Sequence, residues 1–105
     1  MNTRLLTRPR HVGLAVPDYD KQLDFYAGVW DLTKAAEDSG IAFLAAEGSP
    51  EQYVVRLREA EEKRLDLVSY GAADPADVDT LAERLLAGGV QLISRPGPVD
   101  TPGGG

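Results

Sequence analysis

The sequence contains no cysteine and only one histidine, one methionine and one tryptophan among its 105 residues. The lack of cysteine excludes disulfides, thiolate metal ligands and cysteine nucleophiles. Any metal would be held by histidine, aspartate, glutamate or water. Because there is a single histidine, a site with two histidine ligands cannot form within one chain.

Basic residues are few, with 11 Lys and Arg against 17 Asp and Glu and a formal net charge of −6. Nucleic acids and anionic membranes are bound by clustered basic residues, so neither is expected as a partner. No apolar run approaches the ~20 residues that cross a bilayer, and residues 1–10 lack the apolar segment of a secretion signal. We therefore expect a cytoplasmic protein in which residues 1–105 form one globular domain.

The first predicted strand, residues 11–16, alternates two kinds of side chain and ends before Pro17. One face is expected to carry its larger apolar residues: Val12, Leu14 and Val16. The other is expected to carry His11, Gly13 and Ala15. A helix capped by Asp18 and Asp20 then runs to about Leu32. Its aromatic residues are expected in the core: Phe25, Tyr26 and Trp30.

Three short strands follow this helix, at residues 34–38, 41–47 and 52–59, and Ser39-Gly40 forms a turn between the first two. In the last strand one face is expected to carry Tyr53, Val55 and Leu57. The opposite face carries Val54, Arg56 and Arg58. Residues 10–60 are thus predicted to form a βαβββ unit.

The same order of elements begins again at residue 64. A strand at residues 65–70 precedes a helix with Asp74 as N-cap and Pro75 at its first position, and Gly88-Gly89 ends that helix. A short strand, Val90 to Ser94, and a Pro/Gly-rich loop complete the sequence. We interpret residues 64–105 as the start of a second, incomplete module produced by internal duplication, and we expect a longer parent chain.

The segment HVGLAVPDYDKQLDFYAGVWDL resembles the first strand and helix of the vicinal oxygen chelate superfamily, which includes glyoxalases, bleomycin-resistance proteins and type I extradiol dioxygenases. RLDLVSYGAADPADVDTLAERLLAGGVQLIS resembles the start of the partner module. This resemblance implies an α+β fold in which paired βαβββ modules form a curved mixed sheet with helices on the convex face. The concave face forms a cup, and the second module is truncated here.

Members of this superfamily that bind metal place ligands on the first and fourth strands of a module. Under the resemblance, His11 matches the first-strand ligand, whereas the fourth-strand carboxylate position holds Arg56 and the first strand of the second module has Leu67. A cation repels a metal and leucine cannot bind one. Glu59 is a poor replacement, whereas Glu47 and Asp66 are possible oxygen ligands, although such residues are more often solvated charges at strand ends.

Three interpretations of His11 remain open: a hydrogen-bonded residue near the cup, a contact to a ligand or partner domain, or a metal ligand. His11 and Arg56 are the candidate ligand-facing residues. Arg56 and Arg58 could hold an anion, although a solvated or salt-bridged pair is expected more often. No catalytic residue is assigned.

The strands of the fold are retained but its metal-ligating residues are missing, and this pattern is most similar to the amino-terminal domain of extradiol dioxygenases. We expect a supporting domain without a cofactor of its own, inactive alone, in a catechol-cleaving parent that uses Fe(II) or Mn(II). The alternatives are a metal-free small-ligand-binding module of the bleomycin-resistance type and a glyoxalase-like metalloenzyme with a site shared between chains. The expected partners are a small aromatic or other small molecule, and either a second chain or a second copy of the fold.

Overall fold

The computed structural model describes residues 5–99 and has the predicted order of strands and helices as far as residue 87. The elements are β1 (Leu6–Val16), α1 (Tyr19–Asp24), β2 (Thr33–Asp38), β3 (Ile41–Ala45), β4 (Val55–Glu59), β5 (Arg64–Ala72) and α2 (Pro75–Ala87). A π-helical turn, Phe25–Val29, continues α1. Within residues 5–99 no helix is long and apolar enough to cross a membrane.

The five strands form one mixed sheet in the order β2-β3-β4-β1-β5. β1 lies parallel to β4, and the other neighbouring pairs are antiparallel. The predicted α+β class with a mixed sheet is confirmed. Because β1 lies between β4 and β5, side chains from three strands meet above and below it.

The core lies between the sheet and α1. Its buried members come from the sheet and from α1: Val16, Tyr19, Ala42, Leu44, Val55 and Leu57. Val12 and Leu14 pack against this cluster, which confirms the apolar face predicted for β1. We call the sheet face opposite α1 the open face, and β1 contributes to it His11, Gly13 and Ala15.

The two helices begin differently. Asp74 has an extended backbone, and its Oδ1 accepts a hydrogen bond from the Asp77 amide at 3.1 Å, which confirms the predicted N-cap. The prediction for Asp18 is wrong, because its side chain makes no capping hydrogen bond. Its φ of 51° is left-handed, whereas a capping side chain needs the extended region to reach the first amides of a helix.

The aromatic residues after α1 are only partly in the core. Tyr26 packs against the buried cluster, as predicted, but Phe25 and Trp30 are 43% and 59% exposed. The chain changes from α to π winding at Phe25, so the spacing that placed all three on one face no longer applies. The turn ends where the Leu32 amide bonds to the Tyr26 carbonyl at 3.0 Å.

Several strand predictions need correction. β1 begins at Leu6 and β5 extends to Ala72, because the two strands pair along their whole length. The strand predicted at Val90 to Ser94 is wrong: residues 90–94 have no strand conformation, and Ile93 is fully exposed. A strand needs a neighbour for its backbone hydrogen bonds, and none of the described strands pairs with this segment. The end of the predicted terminal loop, residues 100–105, lies outside the described residues.

Candidate functional site

The open face places the predicted site residues side by side. In the parallel register Gly13 lies opposite Arg56 and Ala15 opposite Arg58, while on the other side of β1 Gly13 lies opposite Leu67. The three positions that the resemblance links to metal ligands are therefore close together, and their side chains decide what the face can bind.

His11 is engaged by Tyr53. The two rings stack with centroids 4.1 Å apart and planes 14° from parallel, and the Tyr53 hydroxyl and His11 Nε2 are hydrogen-bonded at 3.0 Å. The ring of Phe43 packs edge-on against Tyr53. Burial, with the positive charges of Arg10 and Arg56, lowers the pKa of His11 below its ordinary value of 6.5. The imidazole is thus neutral at pH 7 and has one nitrogen already bonded.

Tyr53 is a site residue that the sequence pattern placed on the wrong face. It was expected beside Val55 and Leu57, yet it meets His11 and Phe43, while Val54 packs against the core cluster. The alternation changes phase because β4 begins only at Val55. The signal that could have found Tyr53 is the Gly48-Ser49-Pro50 turn just before it, after which regular alternation is not assured.

The guanidinium of Arg56 occupies the space above Gly13. A Cβ at residue 13 would lie 3.1 Å from Arg56 Nη2, 3.2 Å from its Nε and 3.0 Å from Leu67 Cβ. The missing side chain of this glycine lets Arg56 cross β1. Nη2 donates to Asp66 Oδ2 on β5 at 2.8 Å, while the buried Nε has no hydrogen-bond partner.

Asp66 is the centre of an ion-pair cluster. Arg58 donates to both of its oxygens, through Nε at 2.9 Å and Nη2 at 3.0 Å, and Arg64 Nε lies 3.9 Å away. The hydrogen bonds from Arg58, aided by the charges of Arg58 and Arg56, lower the pKa of Asp66 to about 2. The expected salt-bridged state of Arg56 and Arg58 is confirmed. β5 presents Asp66 at a bulge, where the register with β1 shifts.

The residues of this face do not fit a resident metal ion. His11 shares its Nε2 with Tyr53, a guanidinium fills the space over Gly13, and Leu67 offers no ligand atom. Across the described part of the chain, no three His, Asp or Glu side chains are grouped closely enough to hold a metal. Of the acids considered from the sequence, Glu47 and Glu59 are exposed at strand ends, and Asp66 is paired with arginines.

A cleft lies at the other end of β5. It has a volume of about 620 Å³ and is enclosed by the strand end, the start of α2 and the loop at residues 96–98. Charges of both signs line it, including Arg8 and Asp79, and the Arg8 side chain is paired with Glu51 at 2.9 Å. This cleft was not anticipated from the sequence.

Known proteins resemble this chain in sequence and in fold. A Mn(II)-bound glyoxalase from Novosphingobium aromaticivorans is 40% identical with a TM-score of 0.92, over 96% of this chain and 34% of that protein. A manganese-dependent 2,3-dihydroxybiphenyl 1,2-dioxygenase from Geobacillus genomosp. 3 is 28% identical over 82 residues, 78% of this chain and 26% of that enzyme.

An extradiol ring-cleaving dioxygenase from B. fuscum shares the fold, with a TM-score of 0.76 at 23% identity over 80% of this chain and 24% of that one. The chain thus spans only about a quarter to a third of the length of these relatives. The model of the Glyoxalase/Bleomycin resistance protein/Dioxygenase superfamily matches residues 8–104. The chain therefore belongs to that superfamily.

Proposed function

We propose that this chain is a supporting domain, without a metal of its own, at the amino terminus of a larger extradiol dioxygenase-like enzyme that cleaves catechol-type rings. The observation that carries the proposal is the Arg56 guanidinium lying over Gly13 and bonded to Asp66. The likeness to a manganese-dependent dioxygenase about three times as long supports the larger enzyme.

In this arrangement the residues of the open face hold strands together rather than perform chemistry. The carboxylate of Asp66 on β5 bonds Arg56 and Arg58 on β4, so the cluster bridges the central strand β1. An Fe(II) or Mn(II) ion held by another copy of the fold would supply Lewis-acid chemistry on adjacent substrate oxygens. This domain would support the metal-binding copy by packing rigidly beside it.

A titration of the 105-residue chain with Mn(II) tests the proposal. Free Mn(II) gives a six-line electron paramagnetic resonance signal that weakens when the ion binds. We expect the chain at pH 7 to leave the signal as strong as buffer does, and His11→Ala to behave identically. Stoichiometric micromolar binding that His11→Ala abolishes would overturn the proposal. Catechol cleavage by the 105-residue chain itself would overturn it too.

A glyoxalase-like enzyme with its site shared between chains is the second candidate, favoured by the 40% identity to the Mn(II)-bound glyoxalase. Such a site would draw ligands from two chains, so Mn(II) binding would rise with chain concentration as dimers form. The dependence of the resonance signal on concentration separates it from the first proposal, which requires no binding at any concentration.

The chain is also proposed to pair with a second copy of the fold. β5 is an edge strand whose apolar Leu65, Val68 and Tyr70 are 63%, 40% and 53% exposed, and Leu85 and Leu86 of α2 are about as exposed as Val68. The opposite edge, β2, is mainly polar, which discourages pairing there. The bound small molecule would be aromatic or another compact organic compound.

A further inference from the structure

The arginine side chains on the open face carry more positive charge than the carboxylate beside them neutralises. Arg56, Arg58 and Arg64 surround the single carboxylate of Asp66, so three guanidinium groups and one carboxylate leave two positive charges. The whole chain, by contrast, carries a net charge of −6. The next acid in the register of this face, Asp38, lies two strands from Arg58.

Hydrogen-bond donors in the cluster also exceed the acceptors. A guanidinium has five N–H donors. Arg58 gives Nε and Nη2 to Asp66, Arg56 gives Nη2, and its Nε is buried without a partner. Arg64 is 63% exposed and reaches Asp66 only at 3.9 Å, so its planar fork is available to another group. Asp66 therefore fixes two arginines without saturating them.

From this excess we infer that the Arg56, Arg58 and Arg64 cluster binds the carboxylate group of a small organic acid. A carboxylate matches the fork of an arginine with two parallel hydrogen bonds, which adds geometric selection to charge. The partly buried Ile41 and Leu67 share this face in register with Arg58 and Gly13, and offer apolar contact to the rest of such an acid. The positive field reaches nearby groups: the charge of Arg56 adds to the burial that lowers the pKa of His11, and it opposes the burial that raises the pKa of Tyr53.

The inference deepens the proposed function and rests on it in one respect: both require that the guanidinium of Arg56, and not a metal ion, occupies this part of the open face. The two ideas are tested separately. Mn(II) binding tests for a metal site and benzoate binding tests for an anion site, so the failure of one proposal can be told from the failure of the other.

Benzoate is the probe, and benzamide, its neutral analogue, is the matched control. We expect benzoate to shift the amide resonances of Gly13 and Leu67 in a saturable way at constant ionic strength, and benzamide to leave them in place. Arg58→Gln is expected to weaken binding at least about five-fold and Arg64→Gln about three-fold. Arg95→Gln removes an exposed arginine far from the cluster in sequence, and it should leave the affinity unchanged.

The effect of Asp66→Asn on benzoate affinity distinguishes an anion-binding cluster from a purely structural one. It removes the competing carboxylate, so benzoate should bind at least about three-fold more tightly to the folded variant. If Arg58→Gln does not fold, the exposed Arg64 carries the test. Equal shifts with benzamide, equal weakening in Arg95→Gln, or a folded Asp66→Asn that binds no more tightly would overturn the inference.

Discussion

Removing the charge of Asp66 tests how strongly the open face is held together. The pKa of this carboxyl falls from 3.8 to about 2 in the folded chain. At about 1.4 kcal/mol per pKa unit, the difference corresponds to about 2 kcal/mol of folding free energy at neutral pH. Solvent reaches the paired arginines, which are 24% and 31% exposed, so we expect Asp66→Asn to lower the unfolding free energy by about 1 to 2 kcal/mol.

The pH dependence has a definite sign. Because the folded pKa lies below the unfolded one, the stabilisation is complete above about pH 5 and disappears as the pH falls towards 2, where only a few tenths of a kcal/mol remain. Urea unfolding at several pH values between 7 and 2.5 measures it. Glu62→Gln, an equal charge change at an exposed position of the β4–β5 connection, is the control. A destabilisation that is the same at every pH, or equal to that of Glu62→Gln, would refute the reasoning.

Two further predictions concern backbone positions. Gly13→Ala should lower the unfolding free energy by about 1 to 3 kcal/mol, because the added Cβ would lie 3.0 Å from Leu67 and 3.1 Å from the Arg56 guanidinium. Thermal unfolding measures this loss, with Gly28→Ala as the control because a Cβ there meets nothing within 4 Å. Equal melting temperatures of the two variants would contradict the prediction. Asp31 has a φ of 59°, so Asp31→Val should cost about 1 to 2 kcal/mol while Asp31→Gly stays within about 0.5 kcal/mol of the parent; urea unfolding in which the valine variant is the more stable would show that this backbone is not left-handed.

The elements that the sequence predicts well are those with local causes. The apolar alternation of Val12, Leu14 and Val16 places β1 correctly, because each side chain's face follows from its position along an extended chain. Asp74 and Pro75 predict the start of α2 for the same reason: a capping carboxylate and a preset φ act within one helical turn. Such features need no knowledge of what lies across the sheet.

The features that the sequence misses depend on distant partners or on irregular backbone. Tyr53 meets His11 because the chain changes phase just before β4, and a strict alternation cannot show that. Trp30 is exposed because the helix winds as a π-turn. Arg56 and Asp66 were each noticed from the sequence, but their pairing requires β4 and β5 to flank β1, which only the sheet order shows.

Side chains on three strands make this face unsuited to a metal ion, so no single substitution would create a metal site. A carboxylate in place of Arg56 would leave Asp66 bonded twice by Arg58, and would leave His11 hydrogen-bonded to Tyr53. Leu67, on the third strand, would still offer no ligand atom. Gly13 also accommodates the present arrangement, since its missing Cβ is what allows the guanidinium to cross β1. The face is therefore organised around an arginine–carboxylate cluster whose parts depend on one another, and a charge change at Asp66 should be felt across all three strands.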